Sequence, residues 1–304
     1  KLALVFARTS QGVLFFTSSD KAGKGIREPP RDALISESLP KEKGKAFGIQ
    51  RAFDSSGAIL GSLSVLLLII FFGAYTETAF LLKRIILISA AIGFCSLIPI
   101  FFLREKIAAG RRKGTLGFFS KLHKFSGRLY FFMLIAGIFA LANFSYMFFV
   151  LRASALFAAG GMYLIPVIPI ALYVLFNIVY TTFSIPFGRL SDRIGRKKIL
   201  TAGYLLFAAT CLGFLFLKSL PAYVFLFMLY GLVYALIVGN QRAFISDLSP
   251  RESRATALGI FQAVIGLAAI ISGITAGALF DINANYTFIF GASLSILAAL
   301  LFIF

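Results

Sequence analysis

Long apolar runs follow one another along almost the whole of this chain. Each is about as long as an α-helix needs to be to cross a bilayer, roughly 17–25 residues. Gly, Ala, Ser and Phe are spread all round these runs, whereas a soluble domain keeps a polar face on each of its helices. The chain is therefore predicted to be an all-α polytopic membrane protein rather than a soluble domain. The runs lie at 59–72, 85–103, 129–151, 164–187, 199–217, 222–239, 255–280 and 287–304.

Positive charge alternates between the connections of these runs. The chain has 30 Lys and Arg residues against 12 Asp and Glu. Eighteen of the 30 lie in four segments, 39–45, 104–128, 188–198 and 249–254, whereas the intervening connections hold five. This is the positive-inside pattern, and it predicts that the four segments and the C-terminus are cytoplasmic. Short loops between spans do not offer the accessible basic face that nucleic acid needs, so no nucleic-acid partner is expected.

Two stretches of the chain resemble each other. Residues 31–52, "RDALISESLPKEKGKAFGIQRA", correspond to residues 241–263, "QRAFISDLSPRESRATALGIFQA", with one inserted residue in the second copy. Two copies in the same orientation are typical of the two halves of a transporter. The matched pairs are Ala33 with Ala243, Ile35 with Ile245, Ser36 with Ser246, Pro40 with Pro250, Glu42 with Glu252, Ala46 with Ala257, Gly48 with Gly259, Ile49 with Ile260 and Ala52 with Ala263.

The stretch from Asp20 to Asp32, "DKAGKGIREPPRD", carries seven charged residues in thirteen positions. In the repeat, residues 21–32 correspond to 231–242, which form the inner part of an apolar run. The repeat therefore predicts that the charged stretch lies in a helix. Hydropathy and the pair Pro29 and Pro30 favour an alternative, in which 2–19 is a complete span and 20–45 is a long loop.

The segment from Gly188 to Leu200, "GRLSDRIGRKKIL", stands between two apolar runs. It resembles the loop signature of the major facilitator superfamily, G-x-L-x-D-R-x-G-R-K/R-x. The residues that match are Gly188, Leu190, Asp192, Arg193, Gly195, Arg196 and Lys197. We expect Gly188 and Gly195 to permit a tight turn and Asp192 to cap the positive N-terminus of a neighbouring helix. The arginines are expected to pair with acidic groups and anionic lipid.

The resemblance implies a fold of twelve spans in two pseudo-symmetric helical halves. In the family the signature follows the second span of a half, so the spans of this chain can be numbered from it. About nine of the twelve are expected, and the chain is interpreted as N-terminally truncated. The eighth to fourth spans lie at 164–187, 129–151, 80–103, 46–72 and 11–37, and 1–7 ends the third. The predicted domains are 1–103, the remainder of the N-terminal half; 104–128, a basic cytoplasmic linker; and 129–304, the C-terminal six-span half.

Two other motifs of the family are matched only in part. "TSSDKAGKG", from Thr17 to Gly25, resembles the fourth-span signature R-x-x-Q-G-x-G-x-G, but Thr17 stands in place of the arginine. "GAILGSL", from Gly57 to Leu63, resembles the fifth-span G-x-x-x-G-P motif that is associated with exporters, but Ser62 stands in place of the proline. The resemblance favours export only slightly.

Charges within spans four and five are expected to face the bundle interior or a water-filled cavity, because hydrocarbon does not tolerate them. The predicted ion-handling residues are Lys21, Lys24, Arg27, Arg31, Asp32, Arg51 and Asp54. The predicted neutral wall of the substrate pathway consists of Asn143, Tyr146, Asn177, Tyr180, Asn240 and Gln241. The alternative is a structural salt-bridge network that locks the cytoplasmic ends of spans four and five.

Pseudo-symmetry predicts contacts for the loop at 188–198. Asp192 is expected near the N-terminus of span five, around Gly44 to Phe47, and Arg196 within reach of Asp247. With Gly188, Arg193 and Gly195, these residues form the predicted conformational-switch loop.

The resemblance implies a secondary active transporter that moves a small solute by alternating access, with the substrate near the midplane. A cationic cavity favours an anion, whereas 36 Phe and 11 Tyr suit an amphipathic, drug-like compound equally. Carboxylates within the membrane, Asp54 first, indicate H+ as a coupling ion. The alternative is a non-transporting remnant, or a receptor-like sensor, on the same scaffold.

No enzymatic activity is predicted, since the sequence has no apparent nucleotide-binding loop, metal-ligand cluster or nucleophile with a base. No catalytic residue, metal or cofactor is therefore expected. The expected setting is the lipid bilayer of a prokaryotic cytoplasmic membrane, with the protein as a monomer.

Overall fold

A computed structural model of the chain describes residues 10–72, 84, 87–88, 93, 125–158 and 167–303. Regular structure in these ranges is helical, so the prediction of an all-α protein is confirmed. A 3₁₀ helix, Arg251–Ser253, precedes the eighth α-helix. The α-helices are α1 (Ser10–Ser38), α2 (Lys43–Phe72), α3 (Gly127–Ala142), α4 (Met147–Ala158), α5 (Val167–Ile194), α6 (Arg196–Phe216), α7 (Leu220–Leu248), α8 (Arg254–Ile282) and α9 (Ala284–Ile303).

Membrane-spanning segments can be assigned by length and composition. Among the described residues, six are long and apolar enough to cross a membrane: Gly127–Leu156, Ala171–Ile194, Arg196–Phe216, Leu220–Leu248, Arg251–Ile282 and Ala284–Ile303. The expectation of about nine spans stays a prediction. The predicted sixth span, 80–103, and the linker, 104–128, lie almost wholly outside the described residues, and residues 1–7 lie outside them altogether.

The chain divides into two compact units. One comprises 1–27 and 63–124, and its described part is chiefly the helical residues 10–27 of α1 and 63–72 of α2. The other comprises 28–62 and 125–304. Every contact described below lies within this second unit.

The sequence repeat reappears in the helix boundaries. Helix α1 ends at Ser38 and α7 at Leu248, 210 residues later. Helix α2 begins at Lys43 and α8 at Arg254, 211 residues later, which is the offset of the repeat after its one inserted residue. Helix α1 includes Pro29 and Pro30 in its interior, although each proline removes one backbone donor. The helical prediction for the charged stretch is confirmed, and the alternative of a long loop at 20–45 is wrong.

A break separates α3 from α4 inside the predicted seventh span. Asn143 has φ −84° and ψ 68°, and the N–H of Phe144 donates to the carbonyl of Ala142 at 3.0 Å. This is the geometry of an inverse γ-turn. Ser272 Oγ of α8 donates to the carbonyl of Leu141 at 2.8 Å, which satisfies one of the carbonyls that a helix end leaves free. The span predicted as one run at 129–151 is therefore built from two helices.

The loop predicted at 188–198 is mostly helical. Helix α5 continues to Ile194, and the chain turns at Gly195, whose φ of 99° is one that side chains other than glycine rarely adopt. The role predicted for Gly195 is confirmed, but that for Gly188 is wrong. Gly188 lies within α5, where a Cβ would overlap the carbonyl oxygen of Gly44 on α2. Glycine is needed there for the close approach of two helices.

Aromatic rings fill the interior of the second unit. Tyr204 of α6 stacks on Phe139 of α3 with 4.3 Å between ring centroids, and Tyr230 of α7 stacks on Phe149 of α4 at 4.4 Å. Helices in lipid gain little hydrophobic energy by associating, so close packing of this kind holds the bundle together. The packing sets α7 against α5 and α6, and it positions the walls of the cavities.

Candidate functional site

A cavity of about 250 Å³ lies between α2, α5 and α7, and we call it the aromatic cavity. Tyr146, in the turn between α3 and α4, stacks on Tyr173 with 4.9 Å between ring centroids. Phe176 of α5 meets Tyr234 of α7 edge-on at 5.1 Å. The lining residues are Arg51, Asp54, Ser55, Ala58, Tyr146, Tyr173, Phe176, Asn177, Tyr180, Tyr234 and Val238. The cavity can therefore contact a flat, apolar part of a ligand on its aromatic side and a charged group of the ligand on the side of Arg51 and Asp54.

The charge in the aromatic cavity comes from α2. Arg51 Nη1 donates to Asp54 Oδ2 at 3.1 Å, one helical turn away. The Arg51 side chain is 11% exposed and that of Asp54 is 58% exposed. Arg51 Nε and Nη2 are buried and make no hydrogen bond to any residue that the structure describes. A buried donor without a partner costs about 1–3 kcal/mol, so this guanidinium is poorly compensated by the protein.

A smaller cavity of about 120 Å³ lies between α3, α7 and α8. Its polar lining residues are Asn143, Gln241, Arg242 and Gln262. Gln241 Nε2 donates to the hydroxyl of Tyr204 at 3.0 Å, whereas Asn143 Oδ1 has no partner among the described residues. Val238 lines both cavities. Five of the six residues of the predicted neutral wall are thus divided between two neighbouring cavities, and Asn240 lines neither of them.

Glu28, Arg31, Asp32 and Arg242 form a charged cluster where α1 meets α7. Arg242 Nη1 donates to Asp32 Oδ2 at 2.5 Å, and Nη2 donates to Glu28 Oε2 at 3.1 Å. Arg31 Nη2 donates to the other oxygen of Asp32 at 2.9 Å. Asp32 is fully buried, and a buried carboxylate requires such partners. These carboxylates are held by arginines, and within the described ranges no group of His, Cys, Asp and Glu side chains is arranged to hold a metal ion.

Asp192, near the end of α5, caps the N-terminus of α2. Its two carboxylate oxygens accept hydrogen bonds from the backbone N–H groups of Gly44, at 3.0 Å, and Lys45, at 2.9 Å. Arg196 Nη2 also donates to Asp192, at 2.5 Å. A carboxylate in the first turn of a helix is stabilised by the free N–H groups and by the helix dipole. The predicted contact between Asp192 and this helix is confirmed.

Asp247 of α7 joins the same group of residues. Arg196 Nε donates to Asp247 Oδ2 at 3.0 Å, and Lys43 Nζ lies 2.9 Å from Asp247 Oδ1. Lys43 also donates to the carbonyl of Ser246 at 2.9 Å. The predicted contact of Arg196 with Asp247 is confirmed, whereas the part of Lys43 was not predicted. Lys43, Asp192, Arg196 and Asp247, which we call the loop cluster, connect α2 with α5, α6 and α7.

The predicted pathway residues divide among these regions. Asn240, predicted to line the pathway, accepts a hydrogen bond from Ser191 Oγ at 2.5 Å in the contact of α5 with α7, and its place in the pathway stays a prediction. Arg27 and Arg193 are exposed, and the side chains of Lys21 and Lys24 lie outside the described residues. The aromatic cavity includes Arg51, Asp54, Tyr146, Asn177 and Tyr180; the smaller cavity includes Asn143 and Gln241; the charged cluster includes Arg31 and Asp32.

Sequence reasoning missed three rings of the aromatic cavity, Tyr173, Phe176 and Tyr234. The spacing of Tyr173, Phe176 and Tyr180 places them on one face of α5. This spacing is the sequence feature that could have predicted an aromatic wall. It is a weak one, since aromatic residues occur in every apolar run of the chain.

Comparison with known proteins identifies the family. A sequence model of the Major Facilitator Superfamily matches residues 168–304. The whole chain is 48% identical to an uncharacterized MFS-type transporter of Methanocaldococcus jannaschii and covers 74% of it. Over 114 residues it is 34% identical to multidrug resistance protein 1 of Bacillus subtilis, a match that covers 38% of this chain and 29% of that protein. Over 141 residues it is 34% identical to the class H tetracycline resistance protein of Pasteurella multocida, with 44% and 33% covered. The chain therefore belongs to the Major Facilitator Superfamily of membrane transporters.

Proposed function

We propose that this protein is a secondary active transporter that moves a small solute by alternating access, and that the solute binds in the aromatic cavity. The observation that carries the proposal is that the lining residues of the cavity come from both proposed halves of the chain. Arg51 and Asp54 belong to α2, in the proposed N-terminal half, 1–103, whereas Tyr173, Tyr180 and Tyr234 belong to the proposed C-terminal half, 129–304. A site between two parallel repeats opens to either face when one repeat tilts against the other.

The two ion-pair clusters support a conformation that is closed at one end of the bundle. The loop cluster ties α2 to α5, α6 and α7, and the charged cluster ties α1 to α7. Both therefore join helices of the proposed N-terminal half to helices of the proposed C-terminal half. We assign this end to the cytoplasmic side, together with the C-terminus and the linker at 104–128, and we assign the conformation as outward-facing.

Relatives named for multidrug resistance and tetracycline resistance support export as the direction of transport. Asp54 is the proposed carrier of a coupling proton, because it is a carboxylate in the cavity that solvent reaches. We further propose that the protein is a monomer in a prokaryotic cytoplasmic membrane. The switch residues of this transporter are Gly188, Asp192, Arg193, Gly195, Arg196 and Asp247.

Accessibility of the cavity from each face tests alternating access without knowledge of the substrate. In a variant that lacks Cys95 and Cys211, Ala58→Cys places a thiol in the aromatic cavity. Lys218→Cys places a control thiol in the connection between α6 and α7. The proteins are reconstituted in liposomes and exposed to a membrane-impermeant maleimide on one face or the other.

We expect Ala58→Cys to react preferentially from one face, and the preferred face to change when Asp192→Asn weakens the loop cluster. The thiol of Lys218→Cys should keep its own face in both backgrounds. If Ala58→Cys reacts from the same face in both backgrounds, alternating access is contradicted and a receptor-like protein of fixed shape is favoured.

A further inference from the structure

We propose that the aromatic cavity binds a planar aromatic carboxylate of one or two rings, whose anionic group replaces Asp54 as the partner of Arg51. This inference rests on the proposed function, because it assigns a ligand class to the same cavity. It is carried by the shape of the cavity wall, by its volume, and by the unequal burial of Arg51 and Asp54.

The wall of the cavity favours a flat ring. Tyr146 and Tyr173 lie almost parallel, at 28°, whereas Phe176 and Tyr180 meet Tyr234 at 84° and 78°. A planar ligand can therefore stack on one ring while its edge meets the face of another, the two arrangements that aromatic groups prefer. A saturated ring of the same size has neither a flat face nor the quadrupole for these contacts.

The volume of the cavity limits the size of the ligand. Pockets for drug-sized compounds measure about 300–1,000 Å³. The aromatic cavity, at about 250 Å³, lies just below that range. One or two fused rings with a small polar group fit this volume.

The environment of Arg51 favours a negatively charged ligand. Its guanidinium is a cationic group that is largely buried and has two nitrogens without a hydrogen-bond partner among the described residues. The Asp54 side chain is 58% exposed, so the protein encloses this carboxylate much less than the guanidinium of Arg51. The cavity consequently carries an under-compensated positive charge. An anion is attracted to it, and a cation is repelled despite the aromatic rings.

Asp54 is a replaceable partner for Arg51. Exposed ion pairs are weak, and this pair joins two side chains on the same helix. A ligand carboxylate held between the rings is less hydrated than Asp54, so its hydrogen bond to Arg51 is the stronger one. Asp54, which is already 58% exposed, then remains in the lining of the cavity without Arg51 as its partner. Asp54 is thus a competitor of an anionic ligand, whereas it would be an attractive partner for a cationic one.

Binding to the protein purified in detergent tests this inference, with 2-naphthoate as the probe. The protein contains no Trp, so naphthalene fluorescence can be followed without an indole background. Neutral 2-naphthamide and cationic 2-naphthylmethylammonium have the same rings, and cyclohexanecarboxylate, measured as a competitor, has the same charge on a saturated ring. We expect 2-naphthoate to bind more tightly than each of the three by about tenfold or more.

Substitutions of the two charged residues should have opposite effects. Arg51→Gln should weaken 2-naphthoate about tenfold and leave 2-naphthamide unchanged, whereas Asp54→Asn should strengthen 2-naphthoate. Arg128→Gln, which removes an exposed arginine outside the cavity, should change neither. The neutral amide reports whether the cavity of each variant is intact.

The inference is overturned if the cationic probe binds as tightly as 2-naphthoate, if Asp54→Asn weakens 2-naphthoate, or if none of the probes binds saturably. If Arg51→Gln loses binding of both 2-naphthamide and 2-naphthoate, Arg51→Lys is measured. This variant contradicts the inference if it restores binding of 2-naphthamide without binding of 2-naphthoate, because the cavity is then intact and a positive charge is present. These results would leave the labelling of Ala58→Cys from two faces unaffected, so failure of the ligand class is distinguishable from failure of the proposed function.

Discussion

Asp32 and Arg242 occupy the same position in the two repeats, 210 residues apart, and Arg242 Nη1 lies 2.5 Å from Asp32 Oδ2. Two residues related by a pseudo-two-fold axis can touch only where that axis passes between them. Identical charges at such a position would repel each other. The two repeats therefore need opposite charges at this position for the two side chains to form an ion pair.

Removal of Arg242 should destabilise the protein more than removal of Asp32. Arg242→Gln leaves the fully buried Asp32 and the partly buried Glu28 without this arginine, and breaking a buried ion pair typically costs about 3–5 kcal/mol. Asp32→Asn leaves Arg242 bound to Glu28, so its loss should be smaller. Thermal unfolding of the purified variants measures both, with Arg128→Gln as the exposed control. Unfolding of Arg242→Gln at the same temperature as Arg128→Gln would show that the cluster contributes no stability.

Neutralisation of Asp192 should shift the protein towards its inward-open conformation and slow transport without unfolding it. Asp192→Asn removes the charge from the N-terminus of α2 and the ion pair with Arg196. An anion at a helix terminus contributes about 0.3–1 kcal/mol, and up to about 2 kcal/mol when partly buried. Spin labels at Lys41→Cys and Lys198→Cys report the distance across this contact by double electron–electron resonance.

In the Asp192→Asn protein we expect a longer distance to become populated, with little change in the unfolding temperature. Asp281→Asn, which alters an exposed carboxylate at the end of α8, is the matched control and should leave the distances unchanged. The same distance distribution in both variants would contradict a role for Asp192 in conformational change.

A methyl group at Gly188 should force α2 away from α5. A Cβ there would overlap the Gly44 carbonyl oxygen and lie 2.8 Å from its carbon, and backbone atoms cannot rotate away. Overpacking of this kind costs about 1–3 kcal/mol. Gly273→Ala is the control, since a Cβ at Gly273 meets nothing within 4 Å and helical Gly→Ala is stabilising by about 0.5–1 kcal/mol. Equal unfolding temperatures for the two variants would refute the close approach.

Replacement of Asp54 should remove the coupling of transport to protons. Asp54→Asn cannot take up a proton, so the pH change that accompanies solute movement in proteoliposomes should disappear while solute binding persists. A pH-sensitive dye inside the liposomes measures this change, and Asp281→Asn again serves as the control. If coupling is unchanged in Asp54→Asn, another residue carries the proton.

The repeat made the charged helix predictable. Residues 231–242 form an apolar part of α7, and because the two copies share one fold, their counterparts at 21–32 had to be helical despite six charges and two prolines. Hydropathy considers each segment alone and therefore favours a loop there. The contact of Asp192 with α2 was predictable for a similar reason, since the family signature places a carboxylate where a helix N-terminus needs one.

The other features depend on contacts between segments that are distant in sequence. An Asn in an apolar run is compatible with a continuous helix, and the break at Asn143 is accommodated by other helices. Ser272 bonds to the Leu141 carbonyl, and Gly291 leaves room beside Ala142. The aromatic residues of the cavity could not be predicted from the sequence either, because only tertiary contacts distinguish Tyr173 from the many other aromatic residues of the apolar runs.

At Gly44 and Gly188 the peptide groups of α2 and α5 meet directly, beside the carboxylate of Asp192. Neither glycine has a side chain that could change rotamer and fill a gap between α2 and α5 at this point. Separation of α2 from α5 would therefore leave a gap at these two glycines rather than a looser packing of side chains.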